Sequence, residues 1–209
     1  MSNEPKTALG AVYAAKTPEE LGHAYAGWAA DYDRETIELG YCLPFIVTGW
    51  LARHVAPGGP LLDAGCGTGL SGPYLRALGY DTLEGLDYSQ EMLTLAESRN
   101  AYGRLKQAEL GTTLPWPDHH FAAFLSAGVF TAGHAPASSF DELVRITRPG
   151  GHAVFTVRDI LLDDAGFRET FERLASEGRW RAIEESEPFR AFALAEPDVL
   201  VKAFVFEIL

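Results

Sequence analysis

The sequence predicts an α/β protein built on a mostly parallel β-sheet with helices on both faces. From residue 57 onward, short apolar runs alternate with segments of helical periodicity. Alternation of this kind is typical of βαβ units, which bury a parallel sheet between two helical layers. The chain has 209 residues, 47% of them hydrophobic, which is enough for a single domain with a sizeable core.

Seven strands and four helices are predicted in this core region. We expect strands near 60–64, 80–86, 103–108, 121–126, 151–157, 180–190 and 199–208. We expect helices near 70–78, 89–99, 138–147 and 164–177. Only a short turn at 195–198 separates the last two strands, which indicates an antiparallel hairpin at the C-terminal end of the sheet.

Residues 1–56 are predicted to form a helical cap ahead of the core at 57–209. Thr17 precedes Pro18 and two glutamates, a pattern typical of a helix start. A further helical stretch runs from 44 to 54 and ends at a Pro-Gly-Gly-Pro breaker.

Three aromatic residues of the cap are predicted to share one helix face. Tyr25, Trp28 and Tyr32 are three and four residues apart, which places them on the same side of a helix. This face either packs on the core or lines a ligand pocket. We expect the segment 19–41 to act as a lid over the carboxyl edge of the sheet.

Composition argues against several classes of partner. There are 29 Asp and Glu against 17 Lys and Arg, and the net charge of −12 repels nucleic-acid backbones and anionic lipids but favours cationic small molecules. No run of about 18 apolar residues predicts a membrane span. We therefore expect a cytoplasmic protein with no nucleic acid and no membrane as partner. Cys42 and Cys66 are too few for a disulfide framework, and no Cys/His spacing predicts a metal site.

A glycine-rich turn follows the first predicted strand in the segment LLDAGCGTGL. In an α/β sheet such a turn is where nucleotides bind, although any tight strand-to-helix turn needs small residues. Gly65, Gly67 and Gly69 follow a G-x-G-x-G spacing, whereas a dinucleotide-binding turn has its last glycine one residue later. Asp63 places a carboxylate just ahead of the turn, which is unfavourable for a pyrophosphate and favourable for a cation. The turn therefore favours a positively charged nucleoside ligand.

Asp87 lies at the carboxyl end of the second predicted strand. An acid at this position, about 20 residues after the glycine turn, accepts hydrogen bonds from ribose hydroxyls. The alternative role, a helix N-cap, fits Ser89 better. Tyr88 and Met92 follow, and each either lies against a purine ring or belongs to the core.

Four ordered segments resemble the successive motifs of class I S-adenosylmethionine-dependent methyltransferases. They are LLDAGCGTG, GLDYSQEML, LPWPDHHFAAFLS and ELVRITRPGGHAVFTVRD, and the match spans about 21–158. More narrowly, AYAGWAADYD, GVFTAGHAP and the ELVRITRPGG run resemble the Williams–Beuren syndrome region methyltransferase-like group. The resemblance implies a Rossmann-like sheet and S-adenosyl-L-methionine as the cofactor.

The resemblance also implies roles for the residues around the glycine turn. Gly65, Gly67 and Gly69 would let the backbone approach the methionine part of the cofactor. Asp63 would help to hold the ammonium group, through the loop or through water, and Asp87 would bind the ribose.

Further roles are implied near the adenine and the transferred methyl group. Tyr88 and Met92 would flank the adenine. The family has an acidic residue near the adenine amino group, and Glu109 or Leu110 occupies that region here, with Glu109 preferred. Ser126, after the fourth strand, would lie where the transferred methyl group points.

Candidate catalytic residues lie beyond the fourth and fifth strands. Methyl transfer from a sulfonium is an in-line displacement, and a base is needed only where the acceptor arrives protonated. His134 is either that base or a solvated loop residue, and His23 on the predicted lid is a weaker candidate. Arg158 either meets the substrate or pairs with Asp159.

Two other functions share features of this sequence. A nicotinamide oxidoreductase shares the sheet, but the glycine spacing and the Pro-Gly-Gly turn before the fifth strand argue against it. A module that binds S-adenosylmethionine or its demethylated product without catalysis has the same motifs. For a methyltransferase, the small size, acidic charge and aromatic lid favour a small-molecule methyl acceptor over a protein.

Overall fold

The computed structural model describes residues 7–15 and 17–209, so residues 1–6 and 16 of the predicted cap lie outside the described residues. The helices are α1 (Ala8–Ala14), α2 (Pro18–Glu38), α3 (Leu43–His54), α4 (Gly72–Ala77), α5 (Gln90–Ser98), α6 (Ser139–Ile146), α7 (Leu161–Asp164) and α8 (Phe167–Ser176). The strands are β1 (Leu61–Ala64), β2 (Leu83–Asp87), β3 (Arg104–Gln107), β4 (Phe121–Phe130), β5 (Thr147–Arg158), β6 (Trp180–Glu185), β7 (Phe189–Arg190) and β8 (Leu200–Ile208). No helix in this described part is both long and apolar enough to cross a membrane.

The strands form one sheet in the order β3-β2-β1-β4-β5-β8-β6, with β7 paired to β8. The five strands from β3 to β5 in this order are parallel to their neighbours. β8 runs antiparallel to both β5 and β6. The predicted Rossmann-like, mostly parallel sheet with an antiparallel C-terminal end is therefore confirmed. The strand order reverses between β1 and β4, and the crevice at such a switch point is where α/β sheets bind ligands.

The predicted strand at 180–190 is two strands in the structure, which gives eight strands instead of seven. β6 ends at Glu185, and β7 contains two residues. Pro188 lies between them and has no N–H group to donate to the ladder. Ser186 bridges the gap, because its hydroxyl accepts a hydrogen bond of 2.9 Å from the backbone N–H of Ala203.

β4 extends to Phe130, beyond the predicted end at 126. Its register with β5 shifts between Ser126 and Phe130, and Gly128 within this stretch has a φ of 74°. The backbone N–H of Gly128 donates a 3.0 Å hydrogen bond to Thr156 Oγ1. The irregular end of β4 therefore brings part of the predicted loop to the carboxyl edge of the sheet.

Glycines with a positive φ lie between consecutive helices at two places. The predicted helix at 164–177 is α7 and α8, separated by Gly166 with a φ of 73°. In the cap, α2 and α3 are separated by Gly40 with a φ of 76°. The short helix α1 was not predicted, and the side chain of Thr7 caps it by accepting a hydrogen bond from the N–H of Gly10.

The central strand β5 packs on both of its faces. Ala153 and Phe155 belong to an apolar cluster with α6 and α8, whereas Val154 belongs to a cluster with α3. The first cluster is strongly aromatic, and the ring of Phe155 lies 4.5 Å from that of Phe140. With both faces buried, the carboxyl edge of the parallel strands is the part of the sheet that is left for a ligand.

Candidate active site

A cavity of about 450 Å³ lies at the carboxyl ends of β1, β2 and β4. Its size is within the range of small-molecule and cofactor sites. The glycine turn and the ends of the strands form one wall, and aromatic side chains of α2 form part of another. The cavity therefore lies where the switch point of the sheet predicts a ligand site.

The three glycines of the turn all have a positive φ, of 77°, 55° and 79°. A Cβ atom at Gly65 would lie 2.3 Å from a methyl group of Val129, and one at Gly69 would lie 2.9 Å from the ring of Tyr102. A Cβ atom at Gly67 would meet nothing within 4 Å. Packing thus requires Gly65 and Gly69, whereas Gly67 leaves open space beside the cavity that it lines.

Asp87 lies on the cavity wall at the end of β2. One carboxylate oxygen accepts a 2.8 Å hydrogen bond from the N–H of Gly67, and the other accepts one of 2.9 Å from the N–H of Ser89. Burial raises the pKa of Asp87, and these backbone hydrogen bonds oppose that increase. The side chain joins the glycine turn to the start of α5, and each oxygen keeps a lone pair for a ligand.

Asp63 lies beneath the turn, with 1% of its surface exposed, and its side chain is not on the cavity wall. It accepts a 2.7 Å hydrogen bond from the hydroxyl of Tyr102. Burial raises the pKa of Asp63 to about 7, and the charge of Asp87 adds to this increase. In this position Asp63 reaches the cavity only through the turn that it supports.

The residues predicted to surround the adenine lie together. Tyr88, Met92, Glu109 and Leu110 all line the cavity on the side of β2 and β3. The structure places both candidates for the acidic position at the wall, with Glu109 the one that carries a carboxylate. Ser126 does not reach the cavity, because it is fully buried and its hydroxyl donates a 2.7 Å hydrogen bond to the carbonyl oxygen of Ala64.

His134 lies at the cavity wall opposite the glycine turn. Its Nδ1 is 2.9 Å from the carbonyl oxygen of Ala132, and its Nε2 is 2.8 Å from the hydroxyl oxygen of Tyr25. Since a carbonyl only accepts hydrogen bonds, Nδ1 carries the proton, and Nε2 accepts from Tyr25. Burial lowers the pKa of His134, which keeps the ring neutral at pH 7. Nε2 therefore carries a lone pair that can accept a proton at the cavity.

The aromatic face of α2 is divided between two roles. Tyr25 and Tyr32 line the cavity, as expected if this face of the helix lines a ligand pocket. Trp28 is 4% exposed, and its indole N–H donates a 2.7 Å hydrogen bond to Glu35. Trp28 packs in an apolar cluster with Val12 of α1, as expected for a residue that packs on the core.

A smaller cavity of about 50 Å³ adjoins the first one. Trp28 and Arg158 line it, although neither lines the larger cavity. Arg158 comes from the end of β5, and 14% of its side-chain surface is exposed. The structure thus places Arg158 in a second cavity that shares part of its wall with the predicted site.

Polar contacts attach α2 to the glycine turn. The hydroxyl of Thr68 donates a 2.5 Å hydrogen bond to Asp33 of α2. The guanidinium group of Arg99 pairs with the same carboxylate and also donates a 2.5 Å hydrogen bond to the carbonyl oxygen of Thr68. We call these three residues the α2 latch. They hold the helix over the cavity.

Tyr41 is a wall residue that the sequence analysis did not predict. The hydroxyl of Tyr41 lies 3.4 Å from the carbonyl oxygen of Ala127, and it would be 2.1 Å from a Cβ atom at Gly128. The sequence signal is weak, since it consists only of an aromatic residue next to Gly40, the glycine that ends the α2 segment. The fit with Gly128 depends on the irregular end of β4, which no local pattern predicts.

The charges of the larger cavity fit S-adenosylmethionine. Asp87 and Glu109 contribute carboxylates, and no Lys or Arg is found among the described residues that line it. Acidic groups favour the sulfonium and ammonium groups of the cofactor. The open space at Gly67 gives the backbone a close approach to the ligand. Among the described residues, no cluster of three or more His, Cys, Asp or Glu forms a metal site.

Comparisons with known proteins identify a methyltransferase family. A family described as "Methyltransferase domain" matches residues 62–155. Methyltransferase-like protein 27 from Homo sapiens is 36% identical over 169 residues, which cover 77% of this chain and 68% of the human protein. A TehB-like SAM-dependent methyltransferase from Corynebacterium glutamicum has the same fold, with a TM-score of 0.64 and 22% identity over 90% of this chain and 100% of that chain.

A second relative differs in length. Malonyl-[acyl-carrier protein] O-methyltransferase from Erwinia pyrifoliae is 31% identical over 68% of this chain but only 51% of its own length. The chain thus spans about half of that protein. The human relative confirms the resemblance to the Williams–Beuren syndrome region group, and S-adenosyl-L-methionine is confirmed as the cofactor. The chain belongs to the class I S-adenosylmethionine-dependent methyltransferases.

Proposed function

We propose that this protein methylates a small-molecule acceptor that binds beneath α2, with His134 as the proton acceptor. The observation that carries this proposal is the unlike chemistry of the two walls of one cavity. The glycine turn and Asp87 form the cofactor wall, and Tyr25, Tyr32 and His134 face it. An acceptor held against the aromatic wall lies beside the end of the cofactor that carries the methyl group.

The glycine turn and Asp87 would hold S-adenosylmethionine, which would supply an electrophilic sulfonium methyl group for a lone pair of the acceptor. The protein mainly aligns the two reactants and excludes water. The aromatic wall on α2 serves both purposes, because it covers the cavity with apolar rings. The α2 latch keeps that wall in place.

His134 accounts for the remaining proton. An acceptor with an O–H or N–H group must lose that proton as the new bond forms. The Nε2 lone pair of His134 accepts it, and the acceptor displaces the hydroxyl of Tyr25 from this lone pair. The Nδ1–H bond to the carbonyl of Ala132 holds the ring in the tautomer that this role needs.

The size of the acceptor compartment supports a small molecule. Three tyrosines, Tyr25, Tyr32 and Tyr41, crowd the wall on the acceptor side. A macromolecule reaches this space only with a narrow projecting group. The relative from Erwinia pyrifoliae is named for a substrate attached to an acyl-carrier protein, so a group carried by a protein is the rival acceptor.

Two measurements test the proposal in sequence. Calorimetry first measures the affinity for S-adenosylmethionine and S-adenosylhomocysteine. Release of S-adenosylhomocysteine is then assayed with the low-molecular-mass fraction and the protein fraction of a cell extract. Turnover with the first fraction is expected. Turnover with only the second fraction identifies a protein acceptor, and cofactor binding without any turnover identifies a non-catalytic module.

His134→Gln serves as the variant for the catalytic role, and His119→Asn is its control. His119 precedes β4 at the opposite edge of the sheet and does not line the cavity. We expect His134→Gln to bind the cofactor normally but to release less S-adenosylhomocysteine. Equal turnover in both variants would remove His134 from the mechanism.

A further inference from the structure

We infer that the methyl acceptor carries a carboxylate, which Arg158 binds in the smaller cavity. The inference rests on the proposed function, because it specifies the chemical class of the acceptor. It concerns the binding of the acceptor and adds no chemical step to the methyl transfer.

The smaller cavity is an extension of the acceptor compartment. Five residues line both cavities, and they are Tyr25, Tyr32, Tyr41, Gly128 and His134. All five belong to the acceptor wall or to the end of β4, and none belongs to the glycine turn. With a volume of about 50 Å³, the extension accommodates a terminal group of a few atoms. An acceptor beside His134 therefore reaches it with one end.

The wall of the extension combines aromatic surface and neutral polar side chains with one permanent charge. Trp28, Phe130 and Phe192 contribute aromatic surface. Among the described residues that line it, Arg158 is the only Lys, Arg, Asp or Glu. A charged group that is largely buried is unfavourable unless it is paired. This environment therefore favours an anionic partner for Arg158.

The protein satisfies the guanidinium group of Arg158 only in part. Nη2 donates a 3.1 Å hydrogen bond to the carbonyl oxygen of Asp198. Nε is buried and has no hydrogen-bond partner within the part of the chain that the structure describes. The carboxylate of Asp159 lies 3.8 Å from Nε, within ion-pair distance but beyond hydrogen-bond distance, and its Oδ1 accepts a 2.8 Å hydrogen bond from the N–H of Ile160. Buried donors without a hydrogen bond are rare in proteins, so the guanidinium group has hydrogen-bonding capacity that the protein does not use.

A carboxylate fits this site better than a phosphate. The planar guanidinium group pairs with either anion. A phosphate monoester carries up to two negative charges and usually requires further cations, whereas Arg158 is the sole cation among the described lining residues. The net charge of −12 further opposes a dianion. The two ends of the site thus carry opposite charges. Acidic side chains lie where the cofactor binds, and a basic side chain lies where the acceptor ends.

The test uses the protein saturated with S-adenosylhomocysteine and small aryl acids as probes. Calorimetry compares benzoate, phenylacetate and 3-phenylpropanoate with their uncharged amides, and with phenyl phosphate. We expect at least one acid to bind about ten- to a hundredfold more tightly than its amide, as for a hydrogen bond to a charged group. Arg158→Met should remove this preference, and Arg158→Lys should keep part of it.

Arg181→Met is the matched control for the loss of charge. Arg181 lies on β6, is 62% exposed and pairs with Glu207 away from both cavities. This variant should keep the full preference for the acid. In parent protein labelled with ¹⁵N, the Nε–H resonance of Arg158 should shift with the acid and not with the amide. That measurement tests the contact even where Arg158→Met fails to fold.

The outcomes separate this inference from the proposed function. Failure to bind S-adenosylhomocysteine overturns the proposed function before any probe is added. With S-adenosylhomocysteine bound, the carboxylate inference fails if no acid binds, if acids and amides bind equally, or if Arg158→Met keeps the preference. Tighter binding of phenyl phosphate than of every acid would also overturn it, in favour of a phosphorylated acceptor.

Discussion

The cofactor wall and the acceptor wall of the cavity are assembled in different ways. On the cofactor wall, Gly67 and Asp87 are joined by a hydrogen bond and are 20 residues apart. On the acceptor wall, Tyr25 and His134 are joined by a hydrogen bond and are 109 residues apart. The first wall is thus encoded in short segments of the sequence, whereas the second depends on how the N-terminal helices pack. Each prediction below perturbs one wall or the contact between the two walls.

The largest effect is expected at the cofactor wall, for Gly67→Val. Gly67 has a φ of 55° and open space where a Cβ atom would lie. A branched side chain adds backbone strain of about 1–2 kcal/mol, which lowers the stability of the protein with or without ligand. It also occupies the space of the cofactor, which should cost about 3 kcal/mol of binding free energy. We expect the affinity for S-adenosylhomocysteine to fall on the order of a hundredfold, as measured by calorimetry.

Gly150→Val is the matched control for this prediction. Gly150 has a φ of 75° and also has open space at its Cβ position, but it lies in β5 away from the cavity. Both variants should lose a similar amount of thermal stability, and only Gly67→Val should lose the cofactor. If Gly67→Val binds normally, the cofactor does not lie against this turn.

On the acceptor wall, His134→Gln should lower kcat by about a hundredfold while cofactor affinity stays unchanged, because general-base catalysis contributes at this level. The pH dependence gives a second measurement. Burial lowers the pKa of His134 below its ordinary value of 6.5, so the neutral base predominates at neutral pH. The rate should therefore decrease on the acid side with a midpoint below pH 6.5. A midpoint above pH 6.5, or an acid-side decrease that persists unchanged in His134→Gln, would contradict this assignment.

The sequence predicted the cofactor wall and most of the sheet because both depend on local patterns. The glycine turn, the acid at the end of β2 and the alternation of strands and helices can all be found within short windows. The break between β6 and β7 at Pro188 and the split of α7 from α8 at Gly166 are also local signals, but apolar periodicity outweighed them. The cavity that Arg158 lines was not predictable, since α1, α2, β5 and β8 all contribute to it.

At Asp87 a smaller loss is expected, because the substitution Asp87→Asn keeps the shape of the side chain. Asparagine retains one oxygen to accept from Gly67 or Ser89 and loses the negative charge. The affinity for S-adenosylhomocysteine should fall by about 1.5–3 kcal/mol, the range for a hydrogen bond to a charged group. Asp81→Asn, at an exposed position before β2, should bind as the parent does. Equal calorimetric affinities for the two variants would remove the ribose role from Asp87.

The smallest effect is expected where the two walls meet, at the α2 latch. The lid interpretation of residues 19–41 requires α2 to open when the site is empty, whereas a permanently docked helix stays protected. Asp33→Asn removes the charge that pairs with Arg99 and weakens the bond from Thr68. This pair is partly exposed, so its loss should cost about 1 kcal/mol and reduce cofactor affinity about fivefold.

Amide exchange decides between the lid and the docked helix. For a lid, α2 exchanges quickly in the free parent protein and slowly with S-adenosylhomocysteine, and Asp33→Asn accelerates exchange mainly in the free state. For a docked helix, the parent is protected in both states. Asp31→Asn is the control, since Asp31 is 59% exposed and pairs with Arg34 on the same helix. Slow exchange of α2 in the free parent would exclude the lid, and the aromatic wall would then be a fixed part of the acceptor site.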